Sequence, residues 1–182
     1  MRSLPAISIF LLICACSEAP GTDGATVAQH AEEAGIPDAN APSEANGWTP
    51  QDDVVELFVT IADTGREYHP LDVRMYQLAE AFHAEVDTLG RYHDGARDSL
   101  ILPLNDEDAL YAGQYFPRRY EGGTLSIEYL DRFDRCAAPR TYALVTGLWS
   151  TEHEADSALT IHRGSAPKAY KLKARVYQGC MH

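Results

Sequence analysis

Thiols, imidazoles and clustered charges are the groups through which this chain could do chemistry. Four cysteines are present, Cys14, Cys16, Cys136 and Cys180, and none forms the Cys-x-x-Cys pair of zinc and redox sites. Glu80-x-x-His83, with Asp87 one turn on, would set three ligating side chains on one face of a continuous helix. The same residues are also the polar flank opposite that helix's apolar stripe, and a solvated face accounts for them. His93-Asp94 and Glu152-His153-Glu154 lie in polar stretches, where histidines are more often exposed than ligating. Nucleophilic catalysis needs a Ser, Thr or Cys beside a base that a third group orients. No serine stands in a Gly-x-Ser-x-Gly elbow, and Gly122-Gly123 is an isolated turn pair rather than a phosphate loop. Asp131 and Asp134 alternate with Arg132, Arg135 and Arg140 as ion pairs at a turn would. No catalytic constellation, metal site or cofactor is expected.

Two basic clusters remain. No acid follows Asp156, while Arg163, Lys168, Lys171, Lys173 and Arg175 do. On the last strand these cations guard a sheet edge or form a docking face for an acidic partner. Tyr111, Tyr115, Phe116, Arg118, Arg119 and Tyr120 form an aromatic-basic cluster in a long connection, a composition found at binding hot spots. Tyr115, Arg118, Arg119, Lys171, Lys173 and Arg175 are therefore the candidate binding surface. The formal charge of −12 over 182 residues argues against nucleic acid or anionic membrane as a partner through net charge.

The N-terminus addresses a different question, where the protein resides. Met1-Arg2 supplies a positive start and Leu4–Ile13 an apolar core interrupted by Pro5 and Ser8. About ten apolar residues are too few for a spanning helix, which needs roughly 20. The layout is that of a secretory signal ending in small residues. Ile13-Cys14-Ala15-Cys16 resembles the lipobox of bacterial lipoproteins, with Ile13 where Leu is commoner and Cys14 at the second small position. The resemblance implies cleavage before Cys16 and acylation of its thiol and new amine. Ser17, where Asp would imply inner-membrane retention, implies the outer membrane. An ordinary signal cut near Ala15 or Ala19 is the alternative. On the lipoprotein reading Cys14 is lost and Cys16 is lipidated, which leaves Cys136 and Cys180 as a disulfide pair in an oxidising compartment. Closing a loop of about 45 residues would contribute roughly 4 kcal/mol on the chain-entropy model.

The elements that position these groups divide into three regions: a signal (1–15), a lipidated, disordered acidic linker (16–48) and a globular domain (49–182). Without the signal, 14 basic side chains face 27 acidic ones, −13. Glu18, Asp23, Glu32, Glu33, Asp38 and Glu44 precede Pro50 with no Lys or Arg between Ser17 and Pro50. So polar a segment cannot offset its chain entropy. It spans roughly 30 Å as a coil and roughly 110 Å stretched.

In the domain, Thr49-Pro50 with Asp52 and Asp53 reads as a helix start, continued by Val54, Val55, Leu57, Phe58, Ile61 and Ala62 and stopped at Gly65. His69-Pro70 opens a second helix with the stripe Leu71, Met75, Leu78, Ala79, Phe82, Val86 and Leu89, ending at Gly90. Asn105–Ala112 reads as a short helix. Leu100–Leu102, Thr124–Leu130, Thr141–Trp149, Ala158–Arg163 and Tyr170–Gln178 read as strands. The fold class expected is α+β, with two N-terminal helices packed on a mainly antiparallel, curved sheet. That order loosely resembles the NTF2-like and cystatin-like folds, in architecture alone. The function expected is a lipid-anchored, periplasm-facing binding, inhibitor or complex-assembly module. Its partner would be an envelope protein. The alternative is a membrane-tethered enzyme with a pocket between helices and sheet.

Overall fold

The computed structural model describes residues 53–179. The signal, Cys16, the acidic segment, Thr49-Pro50 and Cys180 lie outside them. The described chain is a mixed α/β unit with an antiparallel four-stranded sheet, two helices and a separate hairpin.

Its first element corrects the helix expected at the domain start. Val54–Gly65 is a 12-residue strand, β1. It lies in the sheet's interior, in the order β4-β5-β1-β6. Leu57, Val59 and Ile61 bury on one face, Thr60 and Ala62 on the other. A strand covered on both faces reads as a nearly continuous apolar run, which fits a period of 3.6 as well as one of 2. The β-branched Val54, Val55, Val59, Thr60 and Ile61 favour the pleated state.

α1 (Tyr68–Phe82) follows, with Leu71, Met75 and Leu78 buried. It stops earlier than Gly90 because His83 takes a left-handed conformation (φ 53°) and Ala84 N–H closes onto Ala79 C=O. β2 (Tyr92–Asp94) and β3 (Ser99–Ile101) form the hairpin. Residues 105–112 make turns rather than the expected short helix. β4 (Ser126–Tyr129) and β5 (Tyr142–Trp149) are joined through a 3₁₀ turn at Leu130–Arg132. α2 (Glu152–His162) replaces the strand expected at Ala158–Arg163. Thr151 caps it, with Glu154 returning a bond to the Thr151 N–H in a full capping box. β6 (Tyr170–Tyr177) closes the sheet as an edge strand beside β1.

Both helices cover one face of the sheet. α1 packs on Ala62, Leu125, Ile127, Tyr142 and Leu144, and Lys171, which shares a face with Phe58, is bonded to Glu152 and Asp156 of α2. The opposite face is covered by the connection after β4, whose Leu130, Phe133 and Ala137 pack on Leu57, Val59, Ile61, Ala174 and Val176. With a strand before the first helix and a helix between β5 and β6, the helices-then-meander premise of the NTF2-like and cystatin-like likeness is not met. No described helix is long and apolar enough to cross a membrane.

Candidate binding surface

The period-two alternation of the last strand is realised. Leu172, Ala174 and Val176 face the core under Phe133, and Lys171, Lys173 and Arg175 take the other face. What the cations do there depends on neighbours far away in sequence. Lys171 Nζ bonds Glu152 Oε1 at 2.8 Å and Asp156 Oδ1 at 2.6 Å. Both carboxylates raise its pKa, the Asp156 hydrogen bond first. Lys173 Nζ reaches Glu56 Oε2 at 2.8 Å across the β1 pairing and lowers the Glu56 pKa. Arg175, exposed opposite Glu56, forms no ion pair within 4 Å among the described residues.

The connection after the 3₁₀ turn brings further cations to this strand. Arg132, Phe133, Asp134 and Arg135 line a hollow of about 560 Å³ against Tyr170, Leu172, Lys173, Ala174 and Arg175. Four consecutive β6 residues, 172 to 175, line it, so it follows the strand's edge rather than one face. A second hollow of about 300 Å³ shares Arg132, Phe133 and Arg175 with the first and continues past Val176 and Tyr177 to Pro117–Arg119. The result is a groove with an apolar floor and a predominantly basic rim on an acidic protein.

Arg118 and Arg119, expected at the surface, point inward and are 5% and 8% exposed. Arg118 donates to the carbonyls of Thr124 and Gly122, each at 2.6 Å, and burial lowers its pKa. Arg119 donates to the Gly179 carbonyl and stacks over Phe116 at 4.8 Å. Tyr115 donates its hydroxyl to Glu128 at 2.5 Å, and burial holds its pKa well above the usual phenol value. Arg118 and Arg119 line the second hollow, and Tyr115 stands behind it with its ring under the Arg132 guanidinium at 5.4 Å.

Glu128 was not singled out by the sequence reading. It is fully buried on β4, on the sheet face away from the helices, and takes both Arg91 guanidinium nitrogens at 2.6 and 2.7 Å. Arg118 N–H adds a bond of 3.3 Å. Burial opposes the charge on Arg91, and Glu128 more than compensates, so the net Arg91 shift is upward. The available signal was Glu128 alone among the apolar residues of a strand, since a charge there needs a partner.

The other sequence candidates stay apart. α1 ends before His83, so Glu80, His83 and Asp87 share no helical face, and Asp87 Oδ1 instead accepts from Leu89 N–H. Among the described residues no three His, Cys, Asp or Glu side chains are placed to hold a metal ion. His93 stacks on Tyr68 and lies 3.3 Å from Asp98. His153 lines a more apolar hollow of about 520 Å³ between α2 and the sheet, with Phe82, Trp149, Ile161 and His162. Cys136 is exposed, its backbone N–H on Asp134 Oδ1, and Cys16 and Cys180 lie outside the described residues.

The chain matches no protein-family model, no curated protein and no solved structure. The groove along β6 therefore carries the functional argument on its own chemistry.

Proposed function

We propose that this protein is an outer-membrane lipoprotein, anchored through Cys16 and facing the periplasm, whose folded domain binds an acidic partner in the envelope along β6. The observation that carries the binding reading is the groove, where Arg132, Arg135, Lys173 and Arg175 surround an apolar floor on a chain of net charge −12. Such a local field steers acidic surfaces towards the groove. The anchor is supported by the lipobox-like quartet, and a bridge between Cys136 and Cys180 belongs to the same reading.

Poly-glutamate is the probe for the groove. The full chain binds it at low salt, loses it as salt approaches the range where exposed charges are screened, and loses it in Arg132→Glu/Arg175→Glu. Equal capture by the charge-reversed variant overturns the reading. For the anchor, Cys16→Ser releases the protein from the membrane fraction and removes the acyl mass, and a variant still fractionating with membranes at unchanged mobility refutes lipidation.

A tethered enzyme is the second reading, favoured by one observation. His162 is 8% exposed beside the apolar hollow, and its Nδ1 finds no hydrogen-bond partner among the described residues. Turnover of any substrate that is lost in His162→Ala, with folding intact, would favour it over binding.

A further inference from the structure

The two edges of the four-stranded sheet are treated differently. Beside β4, Asp87 N–H donates to Leu125 C=O at 2.9 Å and Leu125 N–H to Glu85 C=O at 2.7 Å, so a neighbouring segment covers the start of that edge. Among the described residues β6 has a strand on one side only. Its free groups can be assigned from the register. Gln178 N–H donates to Asp53 C=O at 2.7 Å, and the unbroken pairing from Val54↔Tyr177 to Ile61↔Tyr170 continues from that point. In an antiparallel ladder, alternate residues exchange both bonds with the neighbour. Leu172, Ala174 and Val176 therefore face β1 with their backbone groups. The N–H and C=O of Lys171, Lys173 and Arg175 point outward, into the rim that the groove follows.

We infer that the partner is held as an added strand. An extended acidic segment lies along the outer edge of β6 and takes the N–H and C=O groups of Lys171, Lys173 and Arg175 as its ladder. This rests on the binding reading above and specifies its mode. Successive residues of the added strand alternate between the faces. Beside Arg175, which forms no ion pair among the described residues, stands an Asp or Glu, and acids beside Lys171 and Lys173 share those ammonium groups with Glu152, Asp156 and Glu56. Residues on the other face are apolar and cover Leu172, Ala174 and Phe133, with Arg132 and Arg135 at the rim. The preferred segment is thus acidic and apolar in alternation. A second copy of this chain is disfavoured as the occupant, because β6, with Lys171, Lys173 and Arg175 and no acidic residue of its own, offers its copy no carboxylate along the strand. The same cations guard the edge against self-association until an acidic strand arrives.

The test compares two capped ten-residue peptides of five Glu and five Val, one alternating and one with the residues in two blocks. Each is titrated into the full chain while amide exchange is followed residue by residue. The alternating peptide binds at least five-fold more tightly, and exchange at Lys171, Lys173 and Arg175 slows at least ten-fold. Exchange at Leu172 and Ala174, already paired with β1, stays within two-fold. Lys173→Pro removes only an outward N–H from the backbone ladder, a position where an edge strand tolerates proline. It weakens binding at least five-fold beyond Lys173→Ala. Equal binding of the two peptides without protection of the three amides overturns the added strand and leaves the acidic-partner reading standing. Failure of both peptides to bind at low salt overturns both. Protection of the same amides by dimerisation, with no peptide present, assigns the edge to a second copy and overturns the proposal.

Discussion

Replacing Arg91 with Met tests the buried centre on which the groove's back wall rests. The Arg91 and Glu128 side chains are 2% and 0% exposed, and both guanidinium nitrogens donate to the carboxylate. Removing one partner of such a pair typically costs about 3–5 kcal/mol, because a charge is left buried without compensation. In Arg91→Met the Glu128 carboxylate keeps the Tyr115 hydroxyl and the Arg118 N–H, so a loss near the lower end, about 3 kcal/mol, is expected. Glu128→Gln is the more severe change. It strips the counter-charge from Arg91 and the nearby Arg118, and a loss near the upper end, about 5 kcal/mol, follows. The double variant is less damaged than the sum, with a coupling of about 2 kcal/mol. Urea unfolding followed by far-UV circular dichroism reads all three against a typical domain stability of about 5–15 kcal/mol. A loss under about 1 kcal/mol in Arg91→Met, together with no coupling in the cycle, would refute the claim that this pair locks the face.

Three further outcomes are expected. Thr151→Ala removes the hydroxyl that bonds Glu154 at 2.7 Å and caps α2, lowering stability by about 1 kcal/mol. The same change raises the Glu154 pKa towards its ordinary value of 4.5, because the Thr151 hydroxyl is the main cause of its depression, and an NMR titration reads this. Burial lowers the His162 pKa below 6.5, so below that pH the unfolded chain takes up a proton that the native state does not. Stability therefore falls on acidification below pH 6.5, and a flatter profile in His162→Leu, measured as melting temperature against pH, checks the assignment. Gly147→Ala places a methyl against the Trp149 indole, whose Nε1 bonds Thr60 at 3.0 Å. A destabilisation of about 1–3 kcal/mol with altered Trp149 fluorescence is expected.

Local signals in the sequence were as informative as the chemistry behind them was local. Tyr170–Tyr177 alternates with period two because a single face meets the core, and both the strand and the facing of its residues were readable. Leu71, Met75 and Leu78 marked α1 for the same reason. α2 was equally announced, by Thr151-x-x-Glu154 and by Ala155, Ala158, Leu159 and His162 at helical spacing, but its short apolar stripe read as a strand. Val54–Gly65 could not be resolved, since burial on both faces erases the period that distinguishes strand from helix. The end of α1 at His83 depends on a left-handed turn by a residue that is not glycine.

The residue types alone determined the charge asymmetry of the chain, the cationic last strand and the aromatic-basic cluster before it. They also carry the lipobox-like quartet, because processing signals are read in the unfolded chain. Only the tertiary structure decided which cations are presented and which are spent. Arg118 and Arg119 are drawn inward by carbonyls of Thr124, Gly122 and Gly179. Lys171 is held by α2, whereas Arg132, Arg135 and Arg175 are brought together by a connection that crosses the sheet. Charge is a property of the side chain. Its partner is a property of the fold, set by pairings such as Arg91 with Glu128 that lie 37 residues apart.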